Sequence, residues 1–133
     1  MNRLRHFAIL MLAISSNALA SIAFLPAEAA FQVQQLTRAN HRVTVTWAVA
    51  PGYYLYQERI TLRRPAGQAL NPVNGQLLAG ERAFRPDLEP GFQHLLKDQV
   101  QLSWPDAGGP LKLTYQGCAE AGLCYPPQVL EIP

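Results

Sequence analysis

The sequence has 133 residues, with 11 Lys and Arg against 9 Asp and Glu, a formal net charge of +2 and only two cysteines. No cluster of Lys or Arg builds the basic surface that nucleic acid requires, which argues against a nucleic-acid-binding protein. The cysteines and the widely separated His41 and His94 lack the spacing of a zinc site, so neither a metal nor a cofactor is expected.

The first 20 residues are predicted to be a cleaved signal peptide. Basic MNRLRH precedes the apolar segment FAILMLAISSNALA, and Ala18–Ala20 fits the A-x-A cleavage pattern. The apolar segment falls short of the roughly 20 residues that a membrane span needs, and no other apolar run is long enough. Ser21 is therefore expected to begin a single exported domain, residues 21–133, with no membrane span.

The first half of this domain has the pattern of short strands. RVTVTWAV (42–49) alternates Val and Trp with Arg and Thr, a period of two typical of a half-buried strand. YYLYQERITL (53–62) follows a Pro-Gly turn and is predicted to be a second strand. RPAGQALNPVNGQ (64–76) contains two Pro and two Gly, which favours a loop with a short strand at most.

The second half continues in the same way. QVQLSW (99–104) alternates again, and PDAGGP turns the chain into LKLTYQG (111–117). PPQVLEIP (126–133) predicts a last strand, in which Val129 and Leu130 are expected to point inward. Strands at intervals of about 8 to 12 residues with turn signals between them indicate an all-β sandwich.

The two cysteines lie in YQGCAEAGLCYPP (115–127), and an intramolecular disulfide is the simplest arrangement for an exported chain. Because the cysteines are close in sequence, they cannot form the inter-sheet bridge of an antibody domain. A bond between Cys118 and Cys124 closes a short loop, worth roughly 2.4 kcal/mol against about 4.7 for a 100-residue loop. Its loss should leave the domain folded, as suits a bond that breaks and re-forms. From spacing alone, a structural staple remains the favoured interpretation.

The residues around the cysteines change this interpretation. YQGCAEAGLCYPP closely resembles the cysteine motif of the N-terminal (alpha) domain of the DsbD family of bacterial thiol:disulfide interchange proteins. GYYLYQERITL (52–62) is similar to the tyrosine-rich strand of that family, and FLPAEAAF (24–31) is similar to its N-terminal segment. The three blocks occur in the family's order and cover most of the domain, with a weak middle from about residue 65 to 90.

The resemblance implies an immunoglobulin-like β-sandwich in the periplasm with the redox-active cysteines at one end. It implies that the domain accepts electrons from a membrane-linked thioredoxin-like reductant. The electrons then pass to periplasmic thioredoxin-like partners, among them disulfide isomerases and a protein of cytochrome c maturation. Cys124 takes the position that forms the mixed disulfide in the family, and Cys118 the position that resolves it.

The resemblance also implies a set of neighbouring site residues: Glu28, Tyr54, Tyr56, Gly117, Gly122, Tyr125 and Pro126. The glycines permit tight turns and the close approach of a partner, although ordinary turn punctuation explains them equally well. The tyrosines line the family's active-site region, with core packing on a strand as the alternative. A carboxylate at position 28 near a thiol would raise the thiol pKa by like-charge repulsion, whereas a solvated surface glutamate would not.

The family also has a cap loop whose aromatic residues cover the disulfide. The corresponding stretch here is DLEPG (87–91), which consists of Asp87, Leu88, Glu89, Pro90 and Gly91. Glu89 and Pro90 occupy the places where aromatics are expected. Either Leu88 or Phe92 replaces the shield, or the cap is more open than in the family.

Two other interpretations compete with redox exchange. The stronger is an exported β-sandwich binding module whose disulfide is purely structural, which a low reduction potential would reveal. A hydrolase is disfavoured, because neither His41 nor His94 belongs to a recognisable pair of nucleophile and base.

The chain ends at Pro133 just after the last predicted strand. It is therefore expected to be either a truncated gene product or a free-standing domain that meets its reductant in trans.

Overall fold

A computed structural model describes residues 23–65 and 73–133 of the chain. The predicted signal peptide and most of the loop at 64–76 lie outside these residues. The described part contains a short helix, α1 (Ala27–Ala30), and a 3-10 turn (Gln57–Arg59). Its strands are β1 (Phe31–Ala39), β2 (Arg42–Val49), β3 (Tyr53–Tyr56), β4 (Thr61–Arg63), β5 (Val73–Asn74), β6 (Gln76–Phe84), β7 (His94–Pro105), β8 (Leu111–Tyr115), β9 (Gly117–Ala119) and β10 (Gln128–Ile132).

The strands form two antiparallel sheets that pack face to face. One sheet has the order β1-β2-β7-β3-β9, with β6 also paired to β7, and the other has the order β10-β8-β4-β5. The main core lies between them and draws buried residues from both, including Trp47 and Leu102 from the first sheet and Leu62 and Leu113 from the second. The predicted all-β, immunoglobulin-like sandwich is confirmed.

The alternation in β2 correctly predicts which residues are buried. Val43, Val45 and Trp47 are fully buried, and each lies opposite a buried residue of β7. Trp47 faces Val100, so the largest side chain of β2 packs against a small β-branched one. Pairing of this kind fixes the register, because a shift by one residue would turn every apolar side chain towards water.

The tyrosine-rich segment is two strands rather than the predicted single one. β3 pairs with β7 and β9 in the first sheet, whereas β4 pairs with β8 and β5 in the second. The 3-10 turn between them carries the chain from one sheet to the other. The β-branched and aromatic residues on both sides of the turn concealed this change of sheet, because they favour a strand in either position.

The last strand corrects a second prediction. Val129 is 50% exposed, whereas Leu130 packs against the core and Ile132 is buried. Successive side chains of a strand point to opposite faces, so Val129 and Leu130 cannot both face inward.

Candidate functional site

Cys118 and Cys124 form a disulfide across a narrow hairpin at one end of the sandwich. Their Cα atoms lie 4.0 Å apart, and the two residues face each other as an antiparallel bridge. The Ala119 amide donates to the Leu123 carbonyl (2.7 Å), and the Tyr125 amide donates to the Gly117 carbonyl (3.0 Å). These bonds flank the cysteines, which therefore occupy a non-hydrogen-bonded pair, where side chains approach most closely.

The two cysteines differ in burial. Cys118 is 1% exposed and lies in β9, which pairs with β3. Cys124 lies on the outer arm of the hairpin and is exposed. A molecule approaching from solvent therefore reaches Cys124 first.

The two glycines predicted as site residues, Gly117 and Gly122, have different structural roles. Gly117 is a buried strand residue, where a Cβ would lie 2.2 Å from the Tyr54 carbonyl oxygen and 2.7 Å from the Phe31 ring. Gly122 lies in the turn with φ +112°, a conformation that residues with side chains rarely adopt. Gly117 thus allows β9 to pair closely with β3 while Phe31 packs beside it, and Gly122 allows the tight turn of the hairpin.

Tyr56 contacts the buried sulfur. Its hydroxyl lies 3.2 Å from Cys118 Sγ, at hydrogen-bonding distance. The Tyr54 ring packs edge-on against the Tyr56 ring, with the ring centroids 5.4 Å apart. Burial, with a smaller contribution from Tyr54, raises the pKa of Tyr56 to about 12. The hydroxyl therefore keeps its proton at neutral pH and can donate a hydrogen bond to a sulfur that carries negative charge.

Tyr125 and Pro126 complete the outer arm of the hairpin. The Tyr125 ring packs edge-on against Phe31 at 5.3 Å, on the core side of the sheet, and its hydroxyl donates to the Leu25 carbonyl. Pro126 is exposed, and its carbonyl accepts from the Gln128 side chain (2.7 Å), where β10 begins. The two contacts of Tyr125 therefore join the hairpin to the N-terminal segment.

Glu28 lies in α1 with an exposed side chain. Within residues 23–65 and 73–133 it makes no hydrogen bond to either cysteine. Its charge does act on Tyr115, whose pKa is raised mainly by burial and further by Glu28. The predicted effect of Glu28 on a cysteine thiol stays a prediction.

The predicted cap, residues 87–91, is the outer part of a loop that joins β6 to β7 (85–93). The Arg85 amide donates to the Gln93 carbonyl (2.7 Å) and closes the base of this loop. Arg85 also pairs with Asp87, which lowers the pKa of that carboxyl. Glu89 and Pro90 are exposed, and Gly91 has φ +91°.

Two side chains of the loop reach the cluster that contains Cys118. Leu88 and Phe92 pack against a small cluster formed by Tyr56, Leu95 and Cys118. The Phe92 ring stands edge-on to Tyr56 at 5.0 Å. Both residues predicted as replacements for the missing aromatics therefore lie at the site, although Phe92 falls just outside the predicted cap.

Other contacts at the site were not expected from the sequence. The Arg59 guanidinium lies 3.9 Å from the centre of the Phe92 ring. Glu58 accepts a hydrogen bond from the His94 amide (3.0 Å) and also pairs with the His94 ring. The Lys97 ammonium pairs with Glu120 in the turn of the hairpin. These partners come from separate strands and turns, so no local motif could have indicated them.

The described residues show neither a metal-type cluster of side chains nor a membrane-spanning helix. Nowhere in residues 23–65 and 73–133 do three or more His, Cys, Asp or Glu side chains gather as they would around a metal ion. None of the helical segments in the same two ranges is long and apolar enough to cross a bilayer.

Known proteins resemble this chain over most of its length. Residues 21–133 match the family model described as thiol:disulfide interchange protein DsbD, N-terminal. The chain is 37% identical over 115 residues to thiol:disulfide interchange protein DsbD 2 of Pseudomonas aeruginosa, covering 79% of this chain and 17% of that protein. It is 35% identical over 139 residues to DsbD of Salmonella typhi, covering 97% of this chain and 24% of that protein. The chain thus spans about a quarter or less of the length of these curated relatives.

Two solved structures are also similar. One is the N-terminal domain of Neisseria meningitidis DsbD in the reduced form, with a TM-score of 0.60 and 35% identity over 82% of this chain and 87% of that one. The other is the complex between the DsbD N-terminal and PilB N-terminal domains of the same organism. It has a TM-score of 0.56 and 35% identity over 82% of this chain and 85% of that one.

Proposed function

The chain belongs to the family of DsbD N-terminal domains, and on that basis we propose that it exchanges thiols and disulfides through a reversible Cys118–Cys124 bond. The observation that carries this proposal is the unequal burial of the two cysteines. An exposed sulfur is available to a partner, and a buried sulfur beside it can close the bond again without meeting that partner.

Reduction of the domain proceeds by two displacements. A thiolate of the reductant attacks Cys124 Sγ, the Cys118–Cys124 bond breaks, and Cys118 leaves as a thiolate. The Tyr56 hydroxyl, 3.2 Å from Cys118 Sγ, donates a hydrogen bond to this thiolate. The second thiolate of the reductant then attacks the reductant's first sulfur in the mixed disulfide. This forms the reductant's disulfide and releases Cys124 as a thiolate.

Delivery of electrons reverses the order. The Cys124 thiolate attacks the disulfide of the oxidised partner, and one partner sulfur leaves as a thiolate. Cys118 then attacks Cys124 Sγ, which restores the Cys118–Cys124 bond and releases the partner with both thiols reduced. Two electrons and two protons pass to the partner in each cycle.

We propose thioredoxin-like proteins as both donor and acceptor, with a membrane-linked donor. Disulfide isomerases and cytochrome c maturation are the proposed destinations of the electrons. The solved complex of a DsbD N-terminal domain with a PilB N-terminal domain supports recognition of a protein partner. A periplasmic location with residues 1–20 removed is part of the same proposal, and the family match beginning at residue 21 supports it.

The assignment of roles is tested by trapping. The Cys118→Ala variant should accumulate a covalent complex with a thioredoxin-like partner that lacks its resolving cysteine, because Cys124 can capture the partner and nothing can release it. The Cys124→Ala variant should accumulate none, because its remaining thiol is buried. Non-reducing electrophoresis of both mixtures measures the complex.

Equal trapping by both variants would contradict the role of Cys124. Trapping by neither would support a structural disulfide. Equilibration of the wild-type domain with glutathione provides an independent measurement. A structural disulfide has a potential below about −300 mV, whereas an exchange-active bond is more oxidising.

A further inference from the structure

Arg59 stacks on an aromatic ring of the loop 85–93, which packs against the cluster that contains Cys118. Its guanidinium lies 3.9 Å from the centre of the Phe92 ring, within the range of a cation–π interaction. Arg59 is exposed and makes no ion pair with any residue in the described ranges. Its stacking on Phe92 is therefore the main interaction of its charged group there.

Phe92 lies between Arg59 and Tyr56, the residue that contacts Cys118. Its ring stands at 86° to the Tyr56 ring, with the centroids 5.0 Å apart. The Tyr56 hydroxyl in turn contacts Cys118 Sγ. Arg59, Phe92, Tyr56 and Cys118 thus form a continuous stack from solvent to the buried sulfur, and we call these four residues the Arg59 stack.

The position of the Phe92 ring depends on its contacts with Arg59 and Tyr56, because the backbone around Phe92 lies in a loop. Phe92 follows Gly91, and no strand pairs with it. The nearby ion pair between Arg85 and Asp87 is exposed, and exposed pairs contribute little to stability. Leu88 is the other apolar side chain of this loop at the site.

We propose that Arg59 is a positioning residue for the exchange reaction. By stacking on Phe92 it holds the ring against Tyr56, and the closed ring keeps water and small reagents away from Cys118. The loop can still move when a partner docks at the exposed Cys124, because a single cation–π contact is weak. The significance of this role for exchange rests on the proposed function, whereas its effect on access to Cys118 does not.

The test measures alkylation of Cys118 as the only thiol. In the Cys124→Ala background, the rate of reaction with iodoacetamide at constant pH reports access to Cys118. Adding Arg59→Ala should raise this rate about two- to fivefold, the change expected from loss of an exposed cation–π contact. Arg59→Lys should give a rate nearer to that of the parent, because it keeps the charge. Arg63→Ala is the matched control, since Arg63 is an exposed arginine on β4, and it should leave the rate unchanged.

A double-mutant cycle separates the stack from a general loosening of the fold. In a Phe92→Leu background the aromatic face is gone, so Arg59→Ala should have no further effect on the rate. An unchanged rate in the first comparison, or an equal acceleration without Phe92, would overturn the proposal. Neither result would affect exchange at Cys124, which the trapping experiment tests separately.

Discussion

At the scale of single residues, Gly117 has the least space for a side chain among the glycines of the described ranges. The close approach of β9 to β3 leaves no space for a side chain, because one neighbour is the backbone oxygen of Tyr54 and the other is the buried Phe31 ring. A backbone atom cannot swing aside as the end of a flexible side chain can. Gly117 therefore determines how closely Cys118 lies to the tyrosines of β3.

Gly117→Ala should destabilise the domain by about 3 kcal/mol, at the upper end of the usual cost of overpacking. Gly108→Ala is the control, because Gly108 has φ +75° and open space around it. It should cost about 1–2 kcal/mol from backbone conformation alone. Urea unfolding followed by circular dichroism measures both values, and equal losses would contradict the steric argument.

The residue-scale predictions that the sequence allowed rest on local signals. The cysteines and glycines lie within one short motif, and Tyr54 and Tyr56 share a face of one strand. Arg59 and Phe92 lie far apart in the chain and belong to no shared pattern. Their contact exists only because the 3-10 turn and the loop 85–93 meet in the folded domain.

At the scale of elements, the 3-10 turn has a second task besides joining the two sheets. It also places Glu58 beside His94, where β7 begins and the loop 85–93 ends. Burial raises the pKa of the Glu58 carboxyl, but hydrogen bonds from His94 and from the backbone amide of Glu58 together outweigh burial, so the pKa lies below its usual value. Ionised Glu58 therefore stabilises this junction.

The lowered pKa of Glu58 predicts a pH dependence of stability. Since the folded state has the lower pKa, the stabilisation is present above the unfolded pKa, near 4.3, and is lost as the pH falls through the folded value. Glu58→Gln should lower the free energy of unfolding by roughly 1–2 kcal/mol at pH 7. The difference from wild type should shrink as the pH falls below about 4.

Urea unfolding at several pH values checks this prediction. Glu89→Gln is the matched control, because Glu89 is an exposed glutamate in the loop 85–93. It should change the free energy of unfolding by less than about 0.5 kcal/mol at every pH. A loss for Glu58→Gln that is as large at pH 3 as at pH 7 would contradict the prediction.

At this scale, a strand could be predicted from the sequence where its alternation of buried and exposed residues is regular. β2 is regular and half-buried, so its alternation was visible in the sequence. β1 and β6 were not predicted, although each has nine residues. Most of their side chains are exposed, and both strands contain bulges, which shift the alternation by one residue.

At the scale of the whole molecule, the redox pair and the main core are separate. The core lies between the two sheets and does not include Cys118, which belongs to a small cluster with Tyr56 and Leu95. The bond between Cys118 and Cys124 can therefore open without exposing the core.

The Cys118→Ser/Cys124→Ser variant should remain folded and lose roughly 1–3 kcal/mol, because its disulfide closes only a short loop. Thermal unfolding followed by circular dichroism measures this loss against the oxidised wild type. A variant already unfolded at room temperature would show that the bond is a structural staple.

The hairpin also limits how long a partner stays attached in the proposed exchange. The backbone bonds that flank the cysteines involve no sulfur, so they hold Cys118 next to Cys124 after the disulfide opens. Well-oriented intramolecular groups react as if present at effective concentrations on the order of 10⁵–10⁸ M. Dissolved thiols cannot compete with a neighbour at such a concentration. In the proposed exchange, an oxidised partner captured by Cys124 is therefore released in its reduced form before a dissolved thiol can intervene.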